Sequence, residues 1–246
     1  MSEDASYRDS HATPGKGEQY DSYYESDPWQ AFMWRQEQAC IDDLLREHLS
    51  DRDVSLLDFA CGSGRITSFL ETRVARCVGV DVSEPMLERA RAKLTRTELI
   101  TADLTRENPL EGRRFDLITA FRFFTNAEDE LRRSVMEVLP NYLAEDGYVL
   151  FNNHHIPNSM FYRAQDWIAQ LRGRSRASTV RMMSMKETLA LIEEAGLRPV
   201  AMRHVGFLHL PRLSLPMGLV ESAETLARRS GWMSRHCESV MVLCSR

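Results

Sequence analysis

The chain has 246 residues, 43% of them hydrophobic and 27% charged, with a formal net charge of −5. That length and balance suit one large buried core in a globular domain. The acidic balance argues against a nucleic-acid surface, because the one basic run, Arg172–Arg181, reads as a solvated loop.

Five scattered cysteines without a C-x-x-C pair fit a reduced thiol inventory, with neither a disulfide framework nor a metal site. No apolar run approaches the roughly 18 residues of a membrane span. The N-terminus lacks the charged-then-apolar layout of a leader. The expectation is a soluble, cytoplasmic protein.

In chain order, residues 1–19 read as a polar, disordered segment. An aromatic cluster follows, with Tyr20 and Tyr24 placed either to dock on the core or to cover a ligand. Pro28–Leu49 reads as a helix, since Ile41, Leu44, Leu45 and Leu49 recur at helical spacing. Val54–Ala60 is a short buried strand, and Gly64–Arg73 a helix. Cys77–Val82, Glu98–Ala102 and Phe115–Phe121 are further strands, with a helix capped by Ser83 after the second. Ala127–Leu143 reads as a helix, and Asp146-Gly147 as a turn before a strand at Tyr148–Asn153.

Ser159–Leu171 looks helical, and Ser184-Met-Lys-Glu187 is a capping box opening a helix that stops at Gly196. Val200–Val205 and Ser239–Cys244 are the last strands. Between them lies an insertion at 207–237 with a helix around Leu219–Arg229. The β-α alternation calls for a parallel sheet with right-handed crossovers. One domain over 20–246, with a helical cap at 20–50, is the expected organisation.

The stretch Leu56–Thr67, L-L-D-F-A-C-G-S-G-R-I-T, delivers a Gly-x-Gly turn from the end of a strand into a helix. A dinucleotide fingerprint would place a third glycine where Thr67 stands, and a P-loop would need Gly-Lys-Ser/Thr. Neither phosphate cradle is complete. Asp81 lies 17 positions past Gly64 at the end of strand two, where a carboxylate accepts from ribose hydroxyls. Asp103, at the end of strand three, suits an adenine amine, and Asp58, at the end of strand one, a ligand's ammonium. Three acids at three successive strand ends suit a cationic, ribose-bearing ligand better than a pyrophosphate.

With these residues the chain resembles the class I S-adenosylmethionine-dependent methyltransferases. D-F-A-C-G-S-G is similar to the family's first motif, V-G-V-D-V-S-E-P-M-L to its second, and T-A-D-L to its adenine-contacting stretch. F-D-L-I-T-A-F and E-D-G-Y-V-L-F are similar to its strands four and five. The resemblance implies a Rossmann-like α/β fold: a seven-stranded sheet in the order 3-2-1-4-5-7-6, strand seven antiparallel, with helices on both faces. The first glycine of motif one is replaced by Ala60.

By the same resemblance the cofactor is S-adenosyl-L-methionine. Its contacts would be Asp58, Ala60, Gly62, Gly64, Arg65, Asp81, Val82, Met86, Asp103, Leu104, Phe121 and Arg122. Cys61 reads as a small loop residue rather than a nucleophile.

Methyl transfer to a hydroxyl requires a base. His154 and His155 follow strand five beside the expected methyl position, and successive residues face opposite ways, so His155 is favoured over His154. A structural role for both is the alternative. Tyr20, Tyr24, Arg122, Asn126 and Asn153 are candidates for the acceptor site. The expected reaction is O-methylation of a small-molecule acceptor of the sugar, phenol or amine class, with N-methylation as alternative. A weaker resemblance points to sugar-modifying members. A nicotinamide-dependent oxidoreductase or a non-catalytic S-adenosylmethionine-binding module are the competing classes. No nucleic-acid partner is expected, and the Pro-rich insertion suits either a bulky acceptor or a homodimer contact.

Overall fold

The computed structural model describes residues 26–154, 156–157, 159–171, 182–207, 217–228 and 236–246. Asp27 opens the first helix, α1 (Pro28–Leu49): its carboxylate accepts from the N–H groups of Trp29 and Gln30 at 2.8 and 3.4 Å, and Pro28 suits the first turn. There follow β1 (Ser55–Phe59), α2 (Arg65–Leu70), β2 (Arg76–Asp81), α3 (Glu84–Lys93), β3 (Thr97–Thr101) and β4 (Phe115–Ala120). Then come α4 (Asp129–Val138), a 3-10 turn at Leu139–Tyr142, β5 (Leu143–Asn153), α5 (Met160–Leu171) and α6 (Met185–Glu194). The chain closes with β6 (Arg198–Val205), α7 (Met217–Arg228) and β7 (Ser239–Ser245).

The seven strands form one sheet in the order β3-β2-β1-β4-β5-β7-β6. β1 pairs in parallel with β2 and β4, β2 with β3, and β4 with β5, whereas β7 runs antiparallel to both β5 and β6. This is the Rossmann-like order expected from the motifs.

Alternate strand residues feed two cores, one on each face. Leu57, Val80, Ile118 and Phe151 pack with Leu131 and Val135 of α4 and Leu191 and Ile192 of α6. Leu56, Cys77, Leu117 and Leu150 pack with Phe32, Ile41 and Leu44 of α1 and with Ile66 and Leu70 of α2. With both faces covered, the carboxyl ends of the parallel strands are where a ligand meets the sheet.

Two of the boundaries that differ from the sequence reading have a clear physical cause. The helix expected over Ala127–Leu143 ends at Val138 and tightens into the 3-10 turn, because Pro140 has no N–H to continue the ladder. β5 begins at Leu143 rather than Tyr148. Asp146-Gly147 is no turn; it lies within the strand, where the β4–β5 register shifts between Phe115 and Leu117. A Cβ at Gly147 would sit 2.8 Å from the Phe115 carbonyl, so only glycine fits that close approach.

Ser184 caps α6 through the expected box, its hydroxyl accepting from the Glu187 N–H while the Glu187 carboxylate accepts from the Ser184 N–H. The insertion contributes α7, close to the helix expected around Leu219–Arg229, and its remaining Pro-rich part lies outside the described residues, as does the segment 1–19. Among the described residues no helix is long and apolar enough to cross a membrane.

Candidate active site

The loop after β1 turns back over the strand ends. Ala60, Gly62 and Gly64 have φ of 53°, 56° and 79°. Glycine adopts such values freely, and at Gly62 a Cβ would also press on the Met86 methyl at 3.3 Å. Ala60 takes a left-handed conformation that disfavours a side chain, so the replaced first glycine of the motif is a point of backbone strain. The loop is held by the Gly64 N–H donating to the Cys61 carbonyl at 3.0 Å and by the Cys61 N–H donating to the Val80 carbonyl at 3.1 Å.

Asp81 ties the loop to the end of β2. One carboxylate oxygen accepts from the Gly62 N–H and the other from the Ser83 N–H, both at 2.8 Å. Burial nevertheless raises its pKa against these two hydrogen bonds. Asp58, 1% exposed, accepts from the Thr67 hydroxyl at 2.5 Å and the Thr119 hydroxyl at 2.7 Å. Burial is the larger effect there too, and its pKa is pushed up to about 6. Thr67 thus stands at the third-glycine position of a dinucleotide turn as a hydroxyl donor to the strand-one carboxylate. Burial also pushes the Cys61 thiol well above its ordinary range, which removes thiolate chemistry from the loop.

Around these acids lies a cleft in two joined parts, both bordered by Ala60 and Asp81. The first is lined by Asp58, Gly62, Arg65, Met86, Phe121, Arg122 and Asn126, among others. The second is more apolar, with Phe59, Val82, Asp103, Leu104, Phe123 and Leu131. Of the residues expected at the cofactor, all but Gly64 line one part or the other. Gly64 lies beneath, where its Cβ would meet Leu94 at 3.1 Å and Ala90 at 3.2 Å. The Asp103 carboxylate accepts from the Thr105 N–H at 3.0 Å and the Thr105 hydroxyl at 2.6 Å.

The acceptor-side expectations divide. Arg122 and Asn126 meet in the first part of the cleft. Asn153 does not: it is fully buried, and its amide donates to the Met183 carbonyl at 2.6 Å and the Thr188 hydroxyl at 2.9 Å, joining β5 to α6. Its place in the acceptor pocket is therefore corrected, since β5 turns that side chain to the other face. The preceding residue, Asn152, is equally buried and does not line the cleft, but it accepts from the Arg122 N–H at 2.7 Å. His154 is 6% exposed, with its ring nitrogens 2.7 and 3.1 Å from the Thr125 hydroxyl, and does not line the cleft. His155, Tyr20 and Tyr24 lie outside the described residues.

One polar group of the site escaped the sequence reading. Glu37 of α1 is fully buried, with its carboxylate 3.6 Å from an Arg122 Nη and 3.9 Å from an Arg65 Nη. The Arg65 guanidinium also stacks on the Trp34 ring at 4.4 Å. The signal was present: Glu37 falls on the stripe Met33, Cys40, Ile41, Leu44 that α1 buries. A carboxylate on a buried apolar stripe needs a partner.

Two desolvated carboxylates, a tight left-handed turn at Ala60–Gly64 and a guanidinium pair form a set of groups that suits a ligand bearing an ammonium, ribose hydroxyls and a carboxylate. A pyrophosphate would meet Asp58 and Asp81 as like charges. S-adenosylmethionine fits the residues present.

Comparison with known proteins agrees. Residues 56–147 match the methyltransferase domain family. The chain is 31% identical over 134 residues to a candidate methyltransferase of Geobacillus sp. (strain WCH70), covering 52% of this chain and 50% of that protein. It is 37% identical over 67 residues to trans-aconitate 2-methyltransferase of Paracidovorax citrulli (strain AAC00-1), covering 26% of each. The matches thus span half the length of the first curated relative and about a quarter of the second. Among solved structures, magnesium protoporphyrin IX methyltransferase from Synechocystis PCC 6803, with S-adenosylhomocysteine bound, superposes with a TM-score of 0.62 at 14% identity over 97% of both chains. That last likeness is one of fold. Residues 56–147 thus match a methyltransferase domain, and the sheet order is that of the class I S-adenosylmethionine-dependent methyltransferase fold.

Proposed function

We propose that this chain transfers the methyl group of S-adenosylmethionine to an oxygen of a small-molecule acceptor. The observation that carries the proposal is the cleft at the ends of β1, β2 and β4, which Asp58, Asp81, Arg65, Arg122 and Asn126 line together. When bound, the cofactor supplies a methyl carbon already activated on a sulfonium.

The chain's own residues then have separable tasks. Asp81 accepts from the ribose hydroxyls through lone pairs that the Gly62 and Ser83 N–H groups leave over. Asp58 faces the ammonium and Arg65 the carboxylate of the methionyl part. Val82, Asp103 and Leu104 border the adenine, with the Asp103 carboxylate toward its amine. Met86 and Phe121 exclude water along the cofactor, which strengthens every charge interaction in the cleft. Arg122 and Asn126 orient the acceptor so that its oxygen and the methyl carbon align.

For a hydroxyl acceptor the base is His155 rather than His154, whose ring is engaged with Thr125 in the interior. Similarity to a trans-aconitate 2-methyltransferase adds support for an oxygen-bearing acceptor.

Incubation with tritium-methyl S-adenosylmethionine and a panel of sugars, phenols, carboxylic acids and amines tests the proposal. Label is expected on an oxygen-bearing acceptor. Label on amines alone would replace O- by N-methylation, and S-adenosylhomocysteine binding without transfer to any member would point to a binding module.

A further inference from the structure

The charged side chains that line the first part of the cleft cancel one another. Asp58 and Asp81 bring two carboxylates, counting Asp58 in the ionised form that an ammonium requires, and Arg65 and Arg122 bring two guanidiniums. Behind this lining lies a further carboxylate. Glu37 of α1 is fully buried, 3.6 Å from an Arg122 Nη and 3.9 Å from an Arg65 Nη. Its Oε1 accepts from the Asn152 amide at 3.5 Å, and its Oε2 has no hydrogen-bond partner among the described residues. Asn152 also accepts from the Arg122 N–H at 2.7 Å, so it keeps Glu37 and Arg122 in register.

Taking a carboxylate out of water is costly, and two ion pairs beyond 3.5 Å with one long hydrogen bond offset that cost only in part. Apolar residues often fill such a position at no loss of stability, and Met33, Cys40, Ile41 and Leu44 do so along the same stripe. Stability alone therefore gives no reason for the charge at Glu37.

Resting on the methyl-transfer reading above, we infer that Glu37 supplies the negative charge by which the cleft favours the sulfonium cofactor over its thioether product. S-adenosylmethionine carries one net positive charge, because its ammonium and carboxylate cancel and its sulfonium does not. S-adenosylhomocysteine carries none. The sulfonium joins the ribosyl part, assigned to Asp81, to the methionyl part, assigned to Asp58. It thus belongs to the stretch of cleft that Arg122 also lines.

A guanidinium there repels a sulfonium unless another charge offsets it. With Glu37 counted, lining and second layer together carry one surplus negative charge, the complement of the cofactor's surplus positive one. Away from bulk water such an interaction reaches past the nearest side chain and is weakly screened by salt. When the methyl leaves, the C–S electron pair stays on sulfur, and the positive charge passes to the acceptor, which sheds it as a proton. The attraction then lapses, and the neutral product is released. Glu37 is in this sense a specificity residue that touches neither substrate nor cofactor.

Calorimetric titrations with S-adenosylmethionine, S-adenosylhomocysteine and sinefungin test the inference, sinefungin bearing an ammonium at the sulfonium position and no transferable methyl. They are run at pH 8, above the Asp58 pKa of about 6. Glu37→Gln is expected to weaken S-adenosylmethionine and sinefungin about fivefold or more relative to S-adenosylhomocysteine. Glu37→Asp, which keeps the charge, should hold the ratio near that of the wild type. Arg122→Met removes the cation that Glu37 offsets, so it should move the ratio the other way, and it keeps the test open if Glu37→Gln does not fold. Equal weakening of all three ligands by Glu37→Gln would assign Glu37 a structural role and overturn the inference. An Arg122→Met ratio equal to that of the wild type would overturn it too. A wild-type protein that binds none of the three would instead remove the methyl-transfer reading beneath it.

Discussion

Asp81→Ala is expected to lower S-adenosylhomocysteine affinity about 100-fold and to destabilise the fold as well. Two effects act at one carboxylate. Toward the ligand, the variant loses a charged acceptor for the ribose hydroxyls, and hydrogen bonds to charged groups contribute about 1.5–3 kcal/mol each. Toward the protein, the Gly62 and Ser83 N–H groups lose the acceptor they share at 2.8 Å. Leaving such donors unsatisfied costs about 1–3 kcal/mol apiece.

Part of that loss is returned, because burying the Asp81 carboxylate is itself unfavourable, as its raised pKa indicates. A net destabilisation of about 1–3 kcal/mol is the outcome. Asp81→Asn keeps one oxygen and should fall between the two. Calorimetry beside urea denaturation separates the effects, and an alanine variant that binds S-adenosylhomocysteine normally would show that Asp81 serves the loop alone.

Apo stability and cofactor affinity should respond to pH in opposite senses, and Asp58 is the cause. Its folded pKa of about 6 lies above the ordinary 3.8, because burial outweighs the hydrogen bonds from Thr67 and Thr119. The folded apo protein therefore prefers the protonated group. The associated stability is fully present below the unfolded pKa and is lost as pH rises through about 6. The shift of roughly two units corresponds to about 3 kcal/mol between the limits.

A cationic ammonium needs the ionised form, so S-adenosylhomocysteine affinity should fall up to tenfold for each pH unit below about 6. Asp58→Asn should flatten both profiles, stabilise the apo protein above pH 7 and bind the cofactor weakly at every pH. Denaturation and calorimetry from pH 5 to 8 provide the check. A wild-type affinity that is level across that range would take Asp58 away from the ammonium.

How much of this was legible in the residues depended on the range of the interactions involved. The strand-ending acids and the Gly-x-Gly turn were readable, because a strand–turn–helix unit is local and its residues are chosen by backbone geometry. The strand order came from motif resemblance and is present in the sheet. The start of β5 was not readable, because Asp146-Gly147 carries turn chemistry that the pairing with β4 overrides. The same limit misplaced Asn153, since which face a strand residue takes depends on register. Asn152 faces Arg122 and Glu37, while Asn153, one residue on, faces Met183 and Thr188 on the other side. Glu37 lies 115 positions from Asn152. Helical spacing showed that it faces inward, yet only the fold supplies Arg65 and Arg122 to meet it.

Calorimetric titration of the full chain with S-adenosylhomocysteine and, separately, with NAD addresses the central claim most directly. Micromolar binding of S-adenosylhomocysteine, weakened by Asp81→Ala, with no heat from NAD is the expected result. Saturable binding of NAD with none of S-adenosylhomocysteine would contradict the assignment of the cleft.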